Sequence, residues 1–151
     1  VDTMKETLGF NIGTQNIQAM NREAIASYWE GVLLVPERVL IVGRLDNTIA
    51  GALQIVKPSQ SNHISSFACS IDNHFVAPWA RGHGLSNMML ELSENEAKRL
   101  GYTLIRISVR KTRDAAIKVF EKRGYQKWGE LPKYELDQGK VVPGYFYFKE
   151  L

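Results

Sequence analysis

Between residues 63 and 110 the chain runs through a β-branched segment, "HISSFACSIDNHFV", a glycine-bearing turn, "ARGHG", an apolar-periodic helix and a second β-branched segment, "TLIRISVR". No other part of the sequence restricts the fold so strongly. Two strands joined by one helix should lie parallel with a right-handed crossover. The spacing predicts a strand over 64–76, a helix whose face carries Leu85, Met88, Met89 and Leu92, and a strand over 103–110. Gly101 stands where a helix C-terminal cap belongs.

The flanking segments extend this unit on both sides. "NREAIASYWEGVLL" places Ile25, Tyr28, Trp29 and Val32 at helical spacing behind a capping Asn21. "ERVLIVGRL" and "TIAGALQIV" form a hairpin through Asp46 and Asn47, so three antiparallel strands precede the glycines. Beyond residue 110, "DAAIKVFEKR" reads as a helix closed by Gly124. "YQKWGEL" and "GYFYFKEL" read as a final strand pair with a turn at Gln138 and Gly139.

Composition removes several classes of function. The 151 residues are 44% hydrophobic, and 19 Lys and Arg against 16 Asp and Glu leave a net charge of +3. The cations are scattered rather than blocked, which allows an anionic ligand without arguing for nucleic acid. One cysteine, Cys69, cannot form an internal disulfide, no apolar run approaches the length of a membrane span, and the first residues do not read as a signal peptide. A soluble, cytoplasmic setting is expected. His63, His74 and His83 lack zinc spacing, so no metal is expected.

The glycine turn sits at the carboxyl end of one strand and the amino end of a helix. Free backbone N–H groups and the helix dipole favour an anion there, and Arg81 adds a positive charge. The same glycines also suit an ordinary strand-to-helix turn. A Walker loop is excluded because Leu85 and Ser86 follow Gly84 where Lys and Ser or Thr are needed. The dinucleotide fingerprint fits poorly, with Asn87 at its third small position.

"VAPWARGHGLSNMML" resembles the acetyl-coenzyme A motif of the GNAT superfamily of N-acetyltransferases: Gln or Arg, two residues, Gly, one residue, then Gly or Ala. Arg81 and Gly84 match, with Gly82 between them, and Ser86 takes the last small position. "AAIKVFEKRGYQKWG" resembles a second family segment through Ala116, Glu121, Lys122 and Gly124. The resemblance implies an α/β (α+β) GNAT fold with a mixed central sheet, antiparallel first strands, a central β-α-β unit and flanking helices, in one domain over residues 1–151. The family's first strand has no counterpart here and is expected upstream of residue 1.

The resemblance further implies acetyl-CoA as cofactor. Backbone N–H groups of Arg81, Gly82, His83, Gly84, Leu85 and Ser86 would hold its pyrophosphate, and an N–H of Phe75 or Val76 would polarise the acetyl carbonyl. His83 would be a ligand contact or an exposed side chain. Arg113 would bind a cofactor phosphate or merely start a helix. Phe120 stands where many members carry a tyrosine that protonates the departing thiolate. Tyr125 or Tyr134, or water, would then serve, since a thiolate is a tolerable leaving group.

For the general base, Asp72 and His74 share strand parity and are expected on one face. Tyr28, Trp29, Trp128, Tyr134 and Tyr145 are candidates for lining the acceptor side, although aromatics at such spacings also build cores. The expected activity is direct acetyl transfer to a primary amine of a small molecule or peptide, by a monomer or homodimer with no nucleic acid or membrane partner. A ping-pong route through Cys69 is disfavoured, because a lone cysteine among strand residues is usually buried and inert. The alternative is a CoA- or acyl-CoA-binding module with weak or no transferase activity, for which Phe120 is the supporting feature.

Overall fold

The computed structural model describes residues 1–5, 11–12 and 15–151. The chain begins with helix α1 (Asp2–Lys5), the short paired strands β1 (Asn11–Ile12) and β2 (Gln15–Asn16), and helix α2 (Arg22–Leu34). Strands β3 (Arg38–Leu45), β4 (Thr48–Val56) and β5 (Ala68–Val76) follow, then helix α3 (Leu85–Arg99), β6 (Leu104–Arg110), helix α4 (Asp114–Lys122), β7 (Gln126–Asp137) and β8 (Lys140–Glu150). Six strands form one sheet in the order β3-β4-β5-β6-β8-β7. Among the described residues only the β5–β6 pair is parallel, which the α3 crossover makes possible. The expected position of a first strand, upstream of residue 1, lies outside the described residues.

Local chemistry accounts for the element ends. The Asn21 side chain accepts from the Ala24 N–H at 2.8 Å and caps α2. Asp46 and Asn47 both adopt positive φ, as a tight hairpin turn requires. At the end of α3, the Tyr102 N–H reaches back to the Ala97 carbonyl and the Gly101 N–H to that of Lys98; α4 closes the same way through Tyr125 and Gly124. Two expectations are corrected in extent. The strand expected over 64–76 begins at Ala68, and the last pair is longer than its apolar runs, carrying Pro132 and Pro143 within it.

Strand alternation places apolar side chains on both faces of the sheet. Leu53, Ile55, Cys69, Ile71, Ile105, Ile107 and Tyr147 face α3 and α4, where they meet Met89, Leu90, Ala97 and Phe120. Ala52 and Phe75 face the opposite side and meet Met4 and Ile25 from α1 and α2. The buried face of α3 runs through Leu85, Met89, Leu90, Ser93, Glu94 and Ala97, while Met88 and Leu92 are exposed. The expected stripe is thus rotated. The cause is Glu94, a charge drawn inside by Arg123 at 2.6 Å and Lys149 at 3.1 Å. Burial opposes its ionisation, but the hydrogen bonds from Arg123 and Lys149 outweigh it and hold the carboxyl below its ordinary range. Arg123 also donates to the Asn87 side chain, tying the end of α4 to the first turn of α3.

Candidate active site

The site originates in a mismatch of strand register. β4 and β5 pair as Gln54 with Asp72 and then as Ala52 with Phe75, so β5 carries an extra residue at this point. Asn73 takes the strain with φ 50°. β5 and β6 pair from Ala68 with Leu104 to Ile71 with Ile107 and no further. Beyond the bulge the strands part, and a cavity of about 1080 Å³ opens between Asp72–Val76 of β5 and Ser108–Arg110 of β6.

This bulge overturns the expectation that Asp72 and His74 share a face. Asp72 lies on the α2 side, 3.5 Å from Arg38, with its carboxylate accepting from the Asn73 N–H at 2.8 Å. His74 lies on the α3/α4 side, its Nε2 2.8 Å from Ser86 Oγ and its ring centroid 5.8 Å from that of Phe120. An extra residue between them inverts the alternation. Both still border the cavity, which passes through the sheet. Burial lowers the His74 ring to about 4, so it is neutral near pH 7 and weakly basic.

Backbone direction separates the two candidate oxyanion donors. The Ala77 N–H donates to the Ala50 carbonyl at 2.8 Å, and the Phe75 carbonyl is turned toward Gly51 of the same strand. Backbone groups alternate along a strand, so those of Val76 point the other way, into the gap. The Val76 carbonyl accordingly meets Arg81 Nε at 3.4 Å. Its N–H is the donor facing the cavity, whereas that of Phe75 belongs to the β4 ladder.

The turn after β5 supplies further donors. Gly82 and Gly84 have φ of 80° and 75° with open space where a Cβ would be. No backbone carbonyl among the described residues accepts from the N–H groups of residues 82–87, the first inward bond being Met88 N–H to Gly84. Arg81, Gly82, Gly84, Leu85 and Ser86 line the cavity; the His83 ring turns back to the Ala80 and Arg81 carbonyls instead. Arg113, at the start of α4, reaches the same wall, with its Nη2 3.5 Å from Asp137. Burial and the nearby Arg110 guanidinium lower its pKa from the ordinary arginine value.

The tyrosine candidates part company. Tyr125 does not border the cavity: it is buried behind Phe120, with ring centroids 5.9 Å apart, and burial together with the Glu94 carboxylate pushes its phenol far above the ordinary value. Its expected catalytic position is therefore corrected. Tyr134 does border the cavity, donating from its hydroxyl to Ser108 Oγ at 2.6 Å. A wide irregularity in β7 between Leu131 and Glu135 carries it over Gly144. The other aromatic candidates pack elsewhere. Tyr28 accepts from Gln54 and Asn73, Trp29 stacks near Phe75, Trp128 lies exposed against Phe146, and Tyr145 contacts Tyr147. Cys69 is buried and outside the cavity wall, its thiol pushed up to about 11 chiefly by burial.

Sequence reasoning missed Ser108, Arg110 and Glu135. Ser108 and Arg110 alternate with the buried Ile105 and Ile107, a period-two signal that marks them as belonging to the opposite face. Arg110 is held by Glu135 at 3.3 Å and by Asp137 at 3.5 Å. Nothing local in the sequence points to Glu135, which depends on the β7 irregularity.

Three comparisons bear on this site. A curated relative is an uncharacterized N-acetyltransferase of the hisH-hisA intergenic region in Azospirillum brasilense, 47% identical over 91 residues, which are 60% of this chain and 54% of that protein. The chain thus spans about half the length of that relative. The ribosomal-protein-alanine N-acetyltransferase of Brucella melitensis shares the fold with a TM-score of 0.76 at 18% identity, over 99% of this chain and 88% of its own. A putative acetyltransferase from Salmonella typhimurium, solved with its cofactor acetyl-CoA, superposes with a TM-score of 0.72 at 16% identity, over 89% of this chain and 76% of its own. The family model for the acetyltransferase (GNAT) family matches residues 10–125, a span that includes the parted strands, the glycine turn and Phe120. The chain belongs to the acetyltransferase (GNAT) family.

Proposed function

We propose that this chain transfers an acetyl group from acetyl-CoA directly to a primary amine of a small molecule or peptide. The observation that carries the reading is that Val76, whose N–H is turned away from β4, borders the same cavity as Gly82, Gly84, Leu85, Ser86 and Asn87, whose N–H groups meet no backbone carbonyl among the described residues. Those groups fit the cofactor. Consecutive N–H donors at a helix start, with glycines that leave the backbone uncovered, suit a pyrophosphate. Arg81 and Arg113 add charge beside them. Bound acetyl-CoA supplies a thioester-activated acyl group.

The chain's own residues would then divide the work. Arg81, Gly82, Gly84 and Leu85 would hold phosphate oxygens, His83 contributing only its backbone. The Val76 N–H donates to an acyl oxygen in the gap, a preorganised dipole that needs no side chain. On the α2 side, Asp72 and the Tyr134 hydroxyl face the space open to an acceptor amine. Asp72 accepts the amine proton directly or through water. Burial holds the Tyr134 phenol above its ordinary value, so it remains a hydrogen-bond donor.

Phe120 favours a second reading, a coenzyme A-binding module with weak or no turnover. Its ring offers no proton, and Tyr125 is sealed behind it. The two readings separate in one experiment: thiol release from acetyl-CoA against a panel of amines and peptides, with calorimetric titration of acetyl-CoA. Amine-dependent release supports the transferase. Binding without release by any amine supports the module, and failure to bind overturns both.

A further inference from the structure

We propose that His74 and Ser86 act together as a hydrogen-bond donor to the cofactor sulfur, in place of the hydroxyl that Phe120 lacks. The inference rests on the cofactor reading above. An acyl oxygen held by the Val76 N–H would fix the acyl carbon, and with it the sulfur bonded to that carbon. His74 lies two residues before Val76 and projects to the same side of the sheet, a separation of about 7 Å along a strand. Its ring stands 5.8 Å from Phe120, and both border the cavity. His74 and Phe120 thus stand together on that wall of the cavity, and His74 is the polar one of the two.

The hydrogen-bond arithmetic leaves a donor available in either tautomer. His74 Nε2 and Ser86 Oγ are 2.8 Å apart, and the second ring nitrogen has no partner among the described residues. If Ser86 donates to Nε2, the ring proton sits on Nδ1 and is free. If Nε2 donates to Ser86, the serine hydroxyl proton is free. Burial supports this by keeping the ring neutral, so in either tautomer the pair has one proton inside its own hydrogen bond, one free to donate, and no net charge. The pair transfers no proton in this role; its donor stabilises negative charge on sulfur, and a thiol of ordinary pKa near 8.5 is already a tolerable thiolate. The arrangement also explains why Ser86 stands where the family motif has Gly or Ala: it is the partner that His74 requires.

Free coenzyme A is the probe. The pKa of its bound thiol is read from thiolate absorbance in wild type and in the His74→Leu/Ser86→Ala double variant. The expected result is a bound thiol titrating about one pH unit lower in wild type, with Phe120→Tyr added to the double variant restoring the shift. Equal titration in both proteins overturns the inference while leaving cofactor binding intact. Failure of coenzyme A to bind wild type in the calorimeter overturns the cofactor reading as well. A second measurement needs no variant: the His74 ring resonances should move on binding coenzyme A and not on binding its desulfo analogue. Equal movement with both ligands overturns the inference.

Discussion

The carbonyl oxygen of Phe75 lies 2.5 Å from the point a Cβ at Gly51 would occupy. Gly51 is paired with Val76, so any side chain there displaces the residue whose N–H faces the cavity. Gly51→Ala is expected to cost about 1–3 kcal/mol of stability through overpacking. It should also weaken acetyl-CoA binding about tenfold or more, equivalent to about 1.4 kcal/mol. Thermal melts and calorimetry on the same samples check both effects.

Gly84 poses a different constraint, because nothing lies within 4 Å of its missing Cβ but its φ is 75°. Gly84→Ala should fold, with a stability loss of roughly 1 kcal/mol from the left-handed backbone. The added methyl stands among the N–H groups that face the cavity. Coenzyme A affinity should fall more steeply than stability, and comparing Kd with Tm separates the two.

His74 makes stability depend on pH. Its folded value of about 4 lies below the ordinary 6.5, so the unfolded chain binds a proton that the native ring refuses. Its contribution is complete above about pH 6.5 and is lost as pH falls toward 4, by roughly 3 kcal/mol. Denaturant unfolding across that range should show the loss, and His74→Leu should flatten it whatever the variant's stability at neutral pH.

Tyr134 and Gly144 separate acceptor from cofactor. A Cβ at Gly144 would fall 2.2 Å from the Tyr134 ring, so Gly144→Ala must push that ring off its seat. Both Gly144→Ala and Tyr134→Phe should raise KM for the amine or lower kcat by about tenfold, while the Kd for coenzyme A stays within about twofold. Steady-state kinetics with calorimetry tests this, and an equal loss of coenzyme A affinity would remove Tyr134 from the acceptor side.

Much of the architecture was legible because local signals agreed with one another. Asn21 as cap, Asp46 and Asn47 as turn, and Gly101 and Gly124 as helix ends all act over a few residues, and each stands where the sequence put it. The glycine turn was legible for the same reason. Asp72 and His74 were misplaced because parity counting assumes an unbroken ladder, and the bulge at Asn73 depends on β4 lying alongside. Tyr125 misled because its place in the sequence after Phe120 says nothing about which side of that ring it occupies. The buried stripe of α3 rotated for a similar reason: Glu94 can be buried only with its charge paired to Arg123 and Lys149, residues remote in sequence.

The parted ends of β5 and β6 have one more consequence. A sheet interior normally shields its amides, yet here a central strand has a stretch with one neighbour instead of two. The weakest protection against hydrogen exchange should therefore lie in the middle of the sheet, around Val76, rather than only at its outer strands. A ligand seated in the gap would complete the missing ladder, so its arrival should register as slowed exchange deep in the fold.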